Sequence, residues 1–171
     1  MAKDITMLVS SRTGNTRKIA NAVRDELELH GYRVHERDKG EAVRTENVII
    51  CFWCFKSRFD PLNAKLLEDM AGKRILAFGT FGGYPESVYG NKVRANVTAD
   101  VNKHNTCLGV FLSQGKVGTH NIEKRRALPH DDPHYLDDAG VARIMESQRH
   151  PNENDMQRAK EFLLEHVRFF A

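Results

Sequence analysis

The chain alternates short apolar runs with longer segments in which apolar residues recur every three or four positions. Five runs predict β-strands: "ITMLVS" (5–10), "RVHERD" (33–38), "NVIICFW" (47–53), "RILAFGT" (74–80) and "CLGVFLSQ" (107–114). Four of these runs are almost continuously apolar, as strands covered by helices on both faces should be. The more polar run 33–38 suits a sheet edge. The pattern therefore predicts an α/β fold with a parallel sheet.

Helical periodicity fills the intervals between the predicted strands. The segment 16–30 carries an apolar stripe and is followed by Gly31, a typical C-cap residue. Asp60 and Pro61 predict the N-terminus of a helix over 61–71, because aspartate caps a helix and proline favours its first position. Two more helices are predicted, one over 86–104 and one after His150-Pro151.

The segment 116–150 differs from the rest of the chain in being polar and rich in histidine. Within it, a short helix is expected over 138–148. His130 and His134, with carboxylates between them, could ligate a metal ion. Pro133 disfavours a helix that would aim both rings at one point, so a polar surface loop without metal is expected. We interpret 116–150 as an elaborated connection before the last helix, within a single domain spanning 1–171.

Composition places the chain among ordinary globular proteins. Its 171 residues are 40% hydrophobic and 29% charged, with a net charge of +3 and three cysteines. No apolar run approaches the roughly 18 residues of a membrane span, and no signal peptide is recognisable, so a cytoplasmic protein without a membrane association is expected. The densest basic cluster, Lys124 to Arg126, is too short for a nucleic-acid surface.

The most informative motif lies directly between the first predicted strand and the first predicted helix: Ser11-Arg12-Thr13-Gly14-Asn15-Thr16. Glycine permits a tight turn, the hydroxyl groups can donate hydrogen bonds, and the backbone N–H groups at a helix N-terminus favour an anion. Neither a Walker A motif nor G-x-G-x-x-G is present. The pattern indicates a terminal phosphate site, although an ordinary strand-to-helix turn with a Ser/Thr cap has the same spacing.

This loop resembles the FMN-phosphate loop of the flavodoxins, and the likeness extends over the whole chain. The stretches "CFW", "LAFGTFGGYPES", "FLSQGKV" and "RHPNENDMQRAKEF" resemble one branch of small flavodoxins, which includes the flavodoxin-like proteins associated with bilirubin reductase. The resemblance implies a three-layer flavodoxin-like sandwich with five parallel strands in the order 2-1-3-4-5. It also implies FMN as the cofactor.

Aromatic residues follow the third and fourth predicted strands, where a flat flavin ring could stack on them. In flavodoxins these two loops clamp the flavin, and the paired glycines after strand four allow backbone N–H groups to approach its polar edge. The expected cofactor-binding residues, including the phosphate loop, are Ser11, Arg12, Thr13, Gly14, Asn15, Thr16, Phe52, Trp53, Cys54, Thr80, Phe81, Gly82, Gly83 and Tyr84.

The pair Cys51 and Cys54 in "CFWC" could form a redox dithiol or half of a metal site. Cys51 is predicted to lie within a strand rather than at a helix N-terminus. Residues three apart in a strand point to opposite faces, so a disulfide or a shared metal would be poorly placed. The pattern therefore favours Trp53 and the backbone around it as the functional part.

The chemistry expected of such a site is that of FMN itself. The resemblance implies an electron carrier between redox proteins rather than a stand-alone enzyme. The alternatives are an FMN-dependent NAD(P)H or quinone-type oxidoreductase and a binding module without redox chemistry. The segments 52–61 and 80–94 each sum to a charge of +1, so the partner is expected to present an acidic docking surface.

Overall fold

The computed structural model describes residues 3–171 and contains one five-stranded sheet in which every neighbouring pair is parallel. Its order is β2-β1-β3-β4-β5, so the expected flavodoxin-like strand order is confirmed. The strands are β1 (Asp4–Val9), β2 (Arg33–Glu36), β3 (Asn47–Trp53), β4 (Arg74–Phe81) and β5 (Thr106–Gln114). The order reverses between β1 and β3, and the carboxyl ends of these two strands flank the crevice where open α/β sheets bind ligands.

Helices cover both faces of the sheet, as the apolar strands require. They are α1 (Asn15–Leu29), α2 (Pro61–Glu68), α3 (Val88–Asn102), α4 (Ile122–Arg126), α5 (Asp138–Ser147) and α6 (Glu153–His166), followed by a 3₁₀ turn (Val167–Phe169). The start of α2 agrees with its predicted cap, since the Asp60 side chain accepts the Asn63 N–H at 3.0 Å.

Alternate residues of β3 show how the two core layers are separated. Ile49 and Cys51 pack on the side of α1 and α6, whereas Val48, Ile50 and Phe52 pack on the side of α2 and α3. All five side chains are completely buried. Because the side chains of this strand are buried in both layers, none of these positions suits a polar residue, which explains the continuous apolar sequence.

The segment 116–150 is folded against the carboxyl edge of the sheet. It contains the expected helix α5 and also α4, which periodicity failed to indicate because α4 is only five residues long and has no buried residue. Gln114, which is buried, donates through Nε2 to the backbone carbonyls of Gly82 at 3.0 Å and Arg143 at 3.2 Å. This side chain therefore joins the end of β5 to the loop after β4 and to α5.

His150 connects α5 to the start of α6. Its Nδ1 lies 2.5 Å from Asp155 Oδ2, and its Nε2 lies 3.1 Å from Glu146 Oε1. Asp155 also completes a capping box with Asn152 at the N-terminus of α6. Burial lowers the pKa of His150, but the hydrogen bonds to Asp155 and Glu146 outweigh it, so the pKa is raised above its usual 6.5.

We expect His150→Gln to remove a pH-dependent part of the stability. A raised folded-state pKa means that His150 stabilises the protein fully below about pH 6.5, its unfolded value, and loses this effect as the pH rises through the folded value. The difference in unfolding free energy between the wild type and His150→Gln should thus be larger at pH 5.5 than at pH 8.5, by about 1 kcal/mol.

Urea unfolding at both pH values measures this difference. The exposed His104 provides a matched control, because its ring forms no hydrogen bond or ion pair within residues 3–171. Equal pH dependence of the His150→Gln and His104→Gln variants would show that the hydrogen bonds of His150 do not produce a pH-dependent stability.

Candidate functional site

The loops that follow four of the parallel strands meet at one edge of the sheet and form a small cleft of about 110 Å³. This cleft includes most of the residues predicted from sequence and three that were not. Its lining consists of Arg12, Thr13, Asn15, Thr16, Trp53, Cys54, Thr80, Phe81, Gly82, Gly115, Lys116 and Val117. The phosphate loop and the two predicted flavin loops are therefore neighbours in space.

The loop 11–16 leaves a row of backbone donors unused. Gly14 precedes α1 with φ of +96° and provides no side-chain cap, and the Arg17 N–H donates to Ser11 Oγ at 3.1 Å. No hydrogen bond within residues 3–171 takes up the N–H groups of residues 12–16. Unsatisfied N–H groups at a helix N-terminus are the usual donors to a bound phosphate.

Two buried threonines fix the base of this loop. Thr16 Oγ1 donates to the Phe52 carbonyl at 3.3 Å and lies 2.8 Å from Thr80 Oγ1. Both residues are almost fully buried. The hydroxyl of Thr16 thus holds α1 against β3 and β4, and its role in the structure is to position the loop.

Asn15 connects the loop 11–16 to the loop after β5. Its Nδ2 donates to the Lys116 carbonyl at 3.1 Å and to Thr13 Oγ1 at 3.3 Å. A Cβ at Gly115 would lie 2.7 Å from this amide nitrogen, so the two loops are in close contact. The connection brings Lys116 to the same cleft as the loop 11–16.

The electrostatic character of the small cleft favours an anion. Arg12 and Lys116 line it, and no carboxylate among the described residues does so. The Arg12 guanidinium carbon lies 5.6 Å from the centroid of the Trp53 ring, within the range of a cation–π contact. Arg12 therefore connects the loop 11–16 to the aromatic loop after β3.

Trp53 and Tyr84 are the aromatic side chains best placed for a planar ligand. Trp53 is half-buried, and its indole N–H donates to Ser10 Oγ at 3.2 Å. Tyr84 is 44% exposed and follows the glycines at the end of β4. Phe81 is mostly buried and stacks on Tyr89, with ring centroids 6.0 Å apart, so that only part of its surface remains available.

Phe52 was expected to contact a ligand, but the structure places its ring elsewhere. The side chain is completely buried and packs edge-on against Phe59, with ring centroids 4.8 Å apart. Its position within β3 directs the ring into the layer beneath α2 and α3. Only its backbone carbonyl, which binds Thr16, lies at the site.

The two cysteines of "CFWC" lie on opposite sides of the sheet. Cys51 packs beneath α1 and α6, whereas Cys54 packs against the other layer. Both thiols are free. Burial raises the pKa of the Cys51 thiol to about 12 and also raises the pKa of the Cys54 thiol. Neither thiol is activated as a nucleophile, in agreement with the argument from strand geometry.

Gly115, Lys116 and Val117 belong to the site but were not assigned from sequence. The signal that could have identified them is topological, since β5 is parallel to β4 and its carboxyl end must reach the same edge. A Cβ at Gly82 would lie 2.6 Å from Val117 Cγ2. The glycine therefore permits the close approach of the loops after β4 and β5.

A second, larger cleft of about 570 Å³ adjoins the first across Gly82 and Val117. It lies between the loop after β4 and the helix α5. We call it the α5 cleft. Its lining includes Tyr84, Tyr89, Arg125, Arg143 and Ile144.

Among residues 3–171, no helix combines the length and the apolar character that crossing a membrane requires.

Comparison with known proteins gives concordant results. The family model described as a flavodoxin domain matches residues 6–164. The flavodoxin-like domain-containing protein BilS of Clostridioides difficile (strain CD3) is 30% identical over 169 residues, covering 91% of this chain and 92% of that protein. The chain is thus similar along nearly its whole length to a flavodoxin-like protein.

Solved structures support the same fold. Oxidised flavodoxin 2 from Bacillus cereus superposes with a TM-score of 0.57 at 15% identity, covering 99% of this chain and 100% of that one. A short-chain flavodoxin associated with a non-canonical PDU bacterial microcompartment gives the same TM-score and identity, covering 100% and 99%. At this level of identity the similarity establishes the fold alone.

Proposed function

The chain belongs to the flavodoxin family, and from this premise we propose that it binds FMN in the small cleft and carries electrons between redox proteins. The observation that carries the proposal is the row of unused N–H groups at residues 12–16, which faces a cleft lined by two cations and no carboxylate. A phosphate monoester satisfies both features, because it carries negative charge and several acceptor oxygens.

The small cleft accommodates only one end of the cofactor. The small cleft, at about 110 Å³, is below the 300–1,000 Å³ typical of small-molecule sites, so it matches the phosphate end alone. The rest of the molecule requires the adjoining space beside Trp53, Gly83 and Tyr84. These aromatic side chains and the glycine backbone suit a flat, polar-edged ring.

Bound FMN supplies one- and two-electron chemistry, and the chain supplies its binding and surroundings. In the proposal, the N–H groups of the loop hold the phosphate while Thr13 and Ser11 offer additional hydroxyls. Arg12 neutralises part of the phosphate charge from its position over Trp53. No titratable side chain is required to transfer a proton for an electron carrier to function.

The partner in this proposal is a redox protein with an acidic surface. The turn after β3 supports this, because Phe55 is 40% exposed and the Lys56 ammonium lies 5.3 Å from the centroid of its ring. Lys56 adopts a positive φ of 50° in a turn closed by two hydrogen bonds between Phe55 and Arg58. An exposed ring next to a lysine, near the candidate cofactor, suits docking of a carboxylate-rich surface.

The first test is a visible absorption spectrum of the purified protein before and after addition of FMN and desalting. We expect a retained and perturbed flavin band, together with quenching of the fluorescence of Trp53, the only tryptophan of the chain. Quenching by FMN without retention of the band would indicate only weak, non-specific contact. A protein that retains no flavin would contradict the electron-transfer proposal, although its fold would be unaffected.

The α5 cleft favours a second candidate function, an FMN-dependent oxidoreductase that uses NAD(P)H or a quinone-like molecule. A carrier requires no cleft of about 570 Å³ beside its cofactor, whereas an enzyme requires space for a substrate. Anaerobic mixing of the FMN-loaded protein with NAD(P)H separates the two functions. Rapid loss of the flavin band without any partner protein favours the enzyme.

A further inference from the structure

The α5 cleft has the dimensions of a small-molecule site. Its volume of about 570 Å³ falls within the 300–1,000 Å³ range of ligand clefts, and it lies beside the small cleft rather than within it. The two clefts share only Gly82 and Val117. A ligand in the α5 cleft would therefore lie next to the candidate cofactor site without occupying the phosphate loop.

The walls of the α5 cleft are aromatic and aliphatic. Tyr84 and Tyr89 are 44% and 46% exposed, so both rings have surface available to a ligand. Tyr89 is held in place by stacking on Phe81 and by the Ser57 hydroxyl, which donates to its phenolic oxygen at 3.2 Å. Val117 and Ile144 add aliphatic contacts. Such walls suit a flat, unsaturated molecule.

Two arginines contribute positive charge to this cleft without a counter-ion. The Arg143 side chain forms no hydrogen bond or ion pair within residues 3–171, and Arg125 uses only its Nε, which donates to the His134 carbonyl at 3.0 Å. Both side chains are only partly exposed. No aspartate or glutamate among the described residues lines the cleft.

The neighbouring Arg126, in contrast to Arg125 and Arg143, has a counter-ion within the chain. Its guanidinium lies 2.7 Å from Asp138 Oδ1, and neither residue lines the cleft. The guanidinium groups of Arg125 and Arg143 are therefore left for an anion from outside the chain. Guanidinium binds carboxylate with two parallel hydrogen bonds, which makes carboxylate the best-matched group.

Hydrogen bonds also connect the walls of the cleft to one another. Ser147 Oγ accepts the Val117 N–H at 3.1 Å, and Gln148 Nε2 donates to the Val117 carbonyl at 2.8 Å. Gln114 joins the backbone of Gly82 to that of Arg143. These contacts fix α5 relative to the loop after β4, so little ordering is required when a ligand binds.

We propose that the α5 cleft binds a flat, unsaturated organic carboxylate, whose ring lies against Tyr89 and Ile144 and whose carboxylate pairs with Arg143 and Arg125. This goes beyond the proposed function, because the binding depends on the cleft's own residues and requires no flavin. Such a site would place an organic anion directly beside the candidate cofactor.

The test uses 2-naphthoate as the probe and its neutral amide, 2-naphthamide, as the comparison. Titration calorimetry on the flavin-free protein should show saturable binding of 2-naphthoate, with 2-naphthamide binding at least tenfold more weakly. Arg143→Gln should weaken the binding of 2-naphthoate at least tenfold and leave that of 2-naphthamide nearly unchanged. Arg143→Lys, which retains the charge but not the paired donors, should give an intermediate affinity.

The matched control is Arg158→Gln, which removes one exposed positive charge on α6 outside the cleft lining. It should bind 2-naphthoate like the wild type. The proposal is overturned if neither probe binds, if both bind equally, or if the Arg143 and Arg158 variants behave alike. Repeating the titration with FMN-loaded protein separates this result from the cofactor proposal, because flavin retention is read independently from its absorption band.

Discussion

Thr13→Asp is expected to weaken FMN binding about 30-fold or more while the protein remains folded. Thr13 is exposed, lines the small cleft and precedes the unused N–H groups at the start of α1. A carboxylate there would face the phosphate dianion. Repulsion at a separation of about 4 Å amounts to about 2 kcal/mol even in a water-like dielectric, which corresponds to roughly 30-fold in affinity.

The same substitution should not destabilise the fold. A negative charge near the N-terminus of α1 interacts favourably with the helix dipole, by about 0.3–1 kcal/mol. The free energy of unfolding without ligand is therefore expected to stay constant or to rise slightly. The opposite signs of the two effects distinguish a specific loss of phosphate binding from a general loss of structure.

Riboflavin provides the decisive comparison, because it has the flavin ring without the phosphate. Fluorescence titration should show that Thr13→Asp reduces the affinity for FMN much more than the affinity for riboflavin. Thr13→Asn, a neutral substitution of similar size, should change both affinities little. A similar loss for FMN and riboflavin in the aspartate variant would mean that the loop 11–16 does not hold the phosphate.

Gly79→Ala is expected to lower the free energy of unfolding by about 3 kcal/mol, at the upper end for an overpacked core. A Cβ at this position of β4 would lie 2.3 Å from Cζ of Phe52, far inside van der Waals contact. The Phe52 ring cannot move away easily, because it is completely buried and packs against Phe59. Either β4 or the ring must shift.

A double-mutant cycle in urea tests the contact directly. Phe52→Leu alone should cost about 1–2 kcal/mol through the loss of buried surface. In the double variant the smaller leucine leaves room for the new methyl group, so the total cost should be at least about 1 kcal/mol below the sum of the single costs. Additive costs would show that the ring and Gly79 are not in contact.

Gly40→Ala is the control for replacing a glycine where the new Cβ meets no other atom. Gly40 has φ of +82° and no atom within 4 Å of a Cβ built on it. Its replacement should therefore cost only the backbone strain of a left-handed residue, about 1 kcal/mol. Replacing Phe52 should not alter that cost. If Gly40→Ala lowered the free energy of unfolding as much as Gly79→Ala does, steric overlap would not explain the loss at Gly79.

The strands of the sheet could be predicted almost to the residue because their sequence reports burial directly. The run "NVIICFW" coincides with β3, a central strand that fills both core layers. The edge strand β2 is shorter than expected and ends at Glu36, since it pairs with β1 alone. Its alternating exposure gives a weaker signal in the sequence.

The position of the loop 11–16 between β1 and α1 could also be predicted, because it depends on local chemistry. A glycine between a buried strand and a helical stripe must form a tight turn at the carboxyl edge of the sheet. The side-chain direction of Phe52 could not be predicted in the same way. Every residue around it is apolar, so the pattern does not tell which layer the ring enters.

The sequence by itself determined the fold class, the family and the place of the turn 11–16, because burial patterns and turn chemistry act over a few neighbouring residues. Only the tertiary structure decided which side chains surround that turn. Lys116 reaches it through Asn15, and the α5 cleft exists because Gln114, Ser147 and Gln148 hold distant segments together. Contacts between residues about 30 to 100 positions apart produce no periodic pattern in the sequence. Their geometry is therefore visible only in the folded chain.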